Sequence, residues 1–88
     1  STSQFASGSI IEGQVANSVL SRNIHVHKDS LVKDSILFPR VVIGEGAQVE
    51  YAILDKGVEV ADGVVIRGTA EHPVVVKKGA KVTEDIHS

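Results

Sequence analysis

Residues 42–54 read VIGEGAQVEYAIL, Val42 to Leu54. The stretch has the β-branched content of a strand, yet its alternation breaks every few residues at a glycine or another small residue. Ile43-Gly-Glu-Gly-Ala-Gln forms a unit of six, and Val49-Glu-Tyr-Ala-Ile forms a unit of five. The unit before them, Leu37-Phe-Pro-Arg-Val-Val, again has six. Each opens on an aliphatic residue and carries a small or β-branched residue two places before the next opening. Side chains two apart on a strand share a face, so the pair points inward on either side of a bend. Three short strands and three bends then close one triangular coil.

The coil repeats. Blocks begin at Val15, Val32, Val49, Ile66 and Val82, giving spacings of 17, 17, 17 and 16. The fourth column is small at Ser18, Ser35, Ala52 and Thr69. The sixth is Leu20, Leu37 and Leu54, and fails at Glu71. The tenth is Ile24, Val41, Val58 and, after a one-residue deletion, Val74; the twelfth is Val26, Ile43, Val60 and Val76. The sixteenth is Ser30, Ala47, Val64 and Ala80. Agreement across four blocks marks a solenoid. Stacked coils pair their strands in parallel about 4.8 Å apart, and the interior becomes a set of aliphatic ladders. Gly46, Gly57, Gly63, Gly79, Asn23 and Asp29 stand where bends need left-handed backbone. Helix is disfavoured, because no long period of the helical kind exists.

The expected class is all-β: a single-stranded parallel β-helix of about four to five coils. Residues 1–14 form a partial N-terminal coil around Ile10-Ile11, residues 15–82 the full coils, and residues 83–88 a tail expected to fray. The 88 residues suit one small domain with a limited core. Nine Lys and Arg against eleven Asp and Glu give a net charge of −2, which does not suit nucleic-acid binding. Cysteine is absent, so disulfides and thiolate chemistry are excluded. No apolar run approaches the roughly 18 to 20 residues that span a bilayer. The chain opens on Ser1 and contains no methionine, which suits a piece of a longer protein.

Candidate chemistry is sparse. His25-x-His27 sets two imidazoles on one side of a strand with Val26 inward. A third ligand is needed; His72 and His87 lie about three coils away and no acidic column stands out, so the histidines read as surface residues and no metal site is expected. Neither His27 nor His72 has a companion that marks it as a catalytic base, and no catalytic residue is assigned. Glu45, Glu50, Asp55, Glu59 and Asp62 read as a solvated outer face. The fifth column, Val19, Ile36, Ile53, Ala70 and Ile86, points outward and is apolar, the mark of an interface. Strand propensity alone also favours Val and Ile there. Leu31, Gln48 and Val65 make a broken second column.

Units such as Ile43-Gly44-x-x-Ala47-x resemble the left-handed hexapeptide β-helix, and the handedness rests on that resemblance. Over residues 9–66 the chain further resembles the C-terminal β-helix domain of bacterial glucose-1-phosphate adenylyltransferase. The phrases that carry the likeness are Ile11-Glu-Gly13, Asn17-Ser-Val-Leu20, Asp34-Ser-Ile-Leu37 with Pro39, Ile43-Gly44 and Ala52-Ile-Leu-Asp55. The ending His72-Pro-Val-Val-Val-Lys-Lys-Gly79 departs from catalytic subunits and is closer to a regulatory glycogen-biosynthesis paralogue.

The resemblance implies a non-catalytic regulatory and assembly domain of a cytoplasmic enzyme that joins ATP and glucose 1-phosphate into ADP-glucose and pyrophosphate. No cofactor is expected in this chain, with Mg2+ expected in a catalytic domain upstream. The implied partners are that N-terminal domain, sister subunits of a homo- or hetero-tetramer, and an anionic metabolite effector, with no nucleic acid and no membrane. Arg22, His25 and Arg40 are the candidate effector contacts, against the plainer reading of exposed solvated cations. An acyltransferase of the same fold, trimeric and binding its acyl donor between protomers, and a plain structural scaffold are the other readings left open.

Overall fold

A computed structural model describes residues 8–88. Fourteen short strands wind as a left-handed parallel β-helix of four to five turns. The first coil holds β1 (Ile10–Ile11), β2 (Gln14–Ala16) and β3 (Val19–Leu20). The second holds β4 (His25–Val26), β5 (Leu31–Lys33) and β6 (Ile36–Leu37). The third holds β7 (Val42–Ile43), β8 (Gln48–Glu50) and β9 (Ala52–Leu54). The fourth holds β10 (Glu59–Val60), β11 (Val65–Arg67) and β12 (Val74–Val76). Strands β13 (Lys81–Val82) and β14 (Ile86–His87) begin a fifth. The three faces are parallel sheets ordered β1-β4-β7-β10-β13, β2-β5-β8-β11-β14 and β3-β6-β9-β12.

Each strand turns one residue in and the next out, so like residues stack along the axis. Ile11, Val26, Ile43, Val60 and Val82 line the first face. Val15, Val32, Val49, Ile66 and Ile86 line the second. Leu20, Leu37, Leu54 and Val76 line the third. Ile43, Leu37, Leu54 and Ile66 are fully sealed from solvent. Such columns combine apolar burial with one parallel ladder per face.

Corners use the left-handed region in two chemistries. Gly46, Gly57, Gly63 and Gly79 have φ between 69° and 75°, where a Cβ is costly. Asn23, Asp29, Asn17 and Asp34 adopt similar values, and short polar side chains tolerate them best. Asn17 Nδ2 donates to Asp34 Oδ1 across the stack. Arg40 and Tyr51 hold the same conformation with φ of 65° and 49°, a strain that the coils on either side hold in place.

Buried hydroxyls close the turn into the third face. Ser35 N–H donates to Ser18 Oγ at 3.0 Å and Ala52 N–H to Ser35 Oγ at 3.1 Å. Ser35 Oγ in turn donates to the Lys33 carbonyl at 2.9 Å. Ser35→Ala leaves the Ala52 N–H buried without that acceptor, and should cost about 2 kcal/mol. A urea midpoint unchanged from the parent chain would remove the ladder from the account of stability.

The fourth coil departs from the sequence reading. Ile66 pairs with Val49 at the regular step, but Val74 pairs with Ala52, five positions beyond that step. The segment Thr69 to Pro73 is thus inserted where the sequence suggests a one-residue deletion. It forms a small exposed loop closed by Thr69 N–H to His72 O and His72 N–H to Thr69 O, both 3.2 Å. The columns are therefore reassigned. Val74 occupies the small column in place of Thr69, and Val76 fills the leucine column in place of Glu71. Val82 joins the Val60 column, while Ile86 closes the Val49–Ile66 column.

The tail is also structured. Ile86 and His87 pair with Ile66 and Arg67, and Asp85 Oδ1 accepts the Val65 N–H at 2.8 Å. Of the expected partial coil over 1–14, residues 1–7 lie outside the described residues; the remainder carries β1 and the start of β2. Among the described residues, no helix is long and apolar enough to cross a membrane.

Candidate functional site

The first face carries the densest group of functional side chains. With Val26 anchored in the core, His25 and His27 both project outward from β4 and its exit. Their rings stack with centroids 3.7 Å apart and planes 13° from parallel. The coil below places Glu12 against them, because Ile11 pairs with Val26 and Glu12 follows directly. Glu12 Oε1 lies 3.2 Å from His25 Nε2 and 3.9 Å from His27 Nδ1. One ligand atom from each of the three residues falls within 4.8 Å of the others.

Backbone bonds fix this juxtaposition. Glu12 N–H donates to Val26 O at 2.8 Å, and His27 N–H donates to Ile43 O at 3.0 Å. Gly13 lets the coils meet: a Cβ there would lie 2.4 Å from Ser30 Oγ and 2.7 Å from the His27 carbonyl oxygen. Ser30 Oγ donates to that same His27 carbonyl. The side chains are partly exposed, His25 at 34%, His27 at 39% and Glu12 at 52%. A groove beside Glu12 is lined by Gly13, Gln14, Asp29, Ser30 and Leu31.

This geometry corrects the expectation that the chain holds no cofactor-binding group and no metal ligands. Glu12, His25 and His27 form a candidate metal-binding triad. The acidic partner escapes a search for columns at the regular step. Gln14 pairs with Leu31 at that step, but Ile10 pairs with His25, two positions short of it. His72 stands in the inserted loop and His87 on β14, and neither belongs to the triad.

The candidate effector residues divide. Arg22 and Arg40 lie at one corner on successive coils, offset by one residue, where Arg40 N–H donates to Arg22 O at 3.2 Å, and both residues are exposed. His25 lies beyond that corner and is held by Glu12. The outer apolar ladder is placed in part. Val19, Ile36 and Ile53 stack as expected, but Val75 completes the row. Ala70 lies in the inserted loop, and Ile86 packs against the core from the second face. Val19, Ile36 and Val75 are 48%, 41% and 67% exposed. They make an apolar strip on an open sheet face.

The acidic residues of the outer face are mostly paired. Glu45 lies 3.9 Å from Lys28, Glu50 3.6 Å from Arg67 and Glu59 3.3 Å from Lys81. Exposed pairs of this kind contribute about 0–1 kcal/mol each. Asp62 does more, since its Oδ1 accepts the Glu45 N–H at 2.9 Å.

A left-handed prism of aliphatic columns with six-residue units defines a hexapeptide-repeat domain. The family model described as GlmU-like, C-terminal hexapeptide matches residues 1–85, and the chain belongs to that family. It is related to glucose-1-phosphate adenylyltransferases. The protein of that name from Hydrogenovibrio crunogenus is 44% identical over 62 residues, covering 69% of this chain and 15% of the relative. The Arthrobacter protein is 45% identical over 80 residues, covering 90% and 17%, and the Corynebacterium jeikeium protein 39% over 85 residues, covering 92% and 21%. The chain thus spans about a fifth or less of the length of these curated relatives. No solved structure gives a significant match.

Proposed function

We propose that this chain is the C-terminal regulatory and assembly domain of a glucose-1-phosphate adenylyltransferase, a cytoplasmic enzyme making ADP-glucose from ATP and glucose 1-phosphate for glycogen. The observation that carries the reading is the 39–45% identity to proteins of that name across 69–92% of the chain. The domain contributes no catalytic residue. Its strip Val19–Ile36–Ile53–Val75 packs on the enzyme's own N-terminal domain or a sister subunit of a tetramer, removing exposed aliphatic surface from water. The ending His72–Gly79 favours the regulatory paralogue.

Arg22 and Arg40 offer two guanidinium groups from successive coils to an anionic metabolite such as fructose bisphosphate or AMP. The test uses the intact protein with its upstream region and, where needed, its sister subunit. ADP-glucose synthesis is expected, with effector response weakened roughly 10-fold by Arg22→Ala or Arg40→Ala. Failure to make ADP-glucose, alone or with the sister subunit, or transfer of acyl groups instead, overturns the assignment. An effector response untouched by both substitutions overturns the anion site.

A further inference from the structure

We propose that Glu12, His25 and His27 bind one divalent transition-metal ion of the zinc class on the outer face of the first two coils. The inference stands on these three side chains alone and is independent of the enzyme reading above.

The donor set decides the class of ion. Two imidazole nitrogens and one carboxylate oxygen suit a borderline cation such as zinc rather than calcium or magnesium, which take oxygen ligands. Bonds of about 2.0–2.1 Å in a tetrahedron place neighbouring ligand atoms about 3.3 Å apart. Glu12 Oε1 and His25 Nε2 are already at 3.2 Å. His27 Nδ1 is 3.9 Å from the same oxygen, beyond hydrogen-bond range of it. A cation among the three atoms would serve all of them once the stacked imidazole rings turn about their side-chain torsions, so that both in-plane lone pairs point at the ion.

The backbone is already in place for this. Glu12 and His27 sit on neighbouring coils whose hydrogen bonds and tight Gly13 contact leave little freedom to separate. Only side chains need to be ordered on binding, which keeps the entropic cost low. All three side chains are partly exposed, which leaves room for water as a fourth ligand, the arrangement of an open three-ligand site.

Calorimetric titration of the chelator-treated full chain with zinc chloride is expected to show one saturable site. Replacing a ligand should weaken binding by at least the roughly 10- to 100-fold seen for supporting groups. Glu12→Gln, His25→Ala and His27→Ala should all do so, while His72→Ala and His87→Ala should not. A second readout needs no variant: zinc should shift the imidazole NMR signals of His25 and His27 and spare those of His72 and His87. Absence of saturable binding, saturation only at millimolar zinc, or equal shifts at all four histidines overturns the proposal.

Discussion

Ile43→Asp is expected to unfold the chain under conditions where Ile43→Val only lowers its stability. Ile43 is fully buried, between Val26 on the coil below and Val60 on the coil above. The valine variant removes one methylene and should cost about 1 kcal/mol. The aspartate variant removes the aliphatic contact and sets a carboxyl group on the prism axis, where the neighbouring side chains are apolar. Burying a polar group without a partner costs several kcal/mol, and an ionised one more. Domains are stable by about 5–15 kcal/mol, small ones by less. Circular dichroism should show strand signal for Ile43→Val and its loss for Ile43→Asp. A folded aspartate variant with the parent's urea midpoint would mean that the column is not the interior.

The same columns show how far the sequence can be read. Ile43, Leu37 and Val49 announce themselves because burial leaves few residue types possible at the axis, and the constraint recurs at every coil. The insertion Thr69–Pro73 breaks that reading, since a polar loop imposes no such constraint and a one-residue deletion also brings Val74 and Val76 onto aliphatic columns. The clue is local. Glu71 violates the leucine column, and a shift to Val76 repairs it while moving Val82 and Ile86 into register. Handedness comes only from resemblance. Successive strands of one face are joined through two other strands, not by a helix laid over the sheet, so the usual packing reason for right-handed crossovers does not govern them.

The triad is harder to read for a different reason. His25 and His27 are close in sequence and visible at once, whereas Glu12 reaches them through a first coil that is shorter on this face than the regular step. Outer positions bear no packing constraint, so nothing in the chain marks Glu12 among its other acidic residues. The apolar strip falls between these cases. Val19, Ile36 and Ile53 keep the regular step and are legible; Val75, beyond the insertion, is not.

Gly44→Val should be far more damaging than Gly46→Ala, although both glycines lie in one corner sequence. Gly46 has a φ of 72° and open space around its missing Cβ. Alanine there meets only backbone strain of about 1–2 kcal/mol. Gly44 is a case of crowding instead. A Cβ would lie 2.6 Å from the Asp62 nitrogen and 2.7 Å from the Ala61 carbonyl carbon, both backbone atoms of the next coil. Valine must push that coil away, stretching the 2.8 Å bond from Gly44 N–H to Val60 O and the Asp62 cap on Glu45 N–H. Overpacking commonly costs about 1–3 kcal/mol, and the lost bonds bring the expected total to about 4 kcal/mol. In a solenoid each coil rests on its neighbours alone, so this separation cuts the stack in its middle. Urea midpoints of the two variants, with Gly63→Ala as a second open corner, decide the matter. Equal shifts at all three would show that conformational freedom, not close approach, selects glycine at position 44, and that the coils tolerate a wider spacing than the one seen.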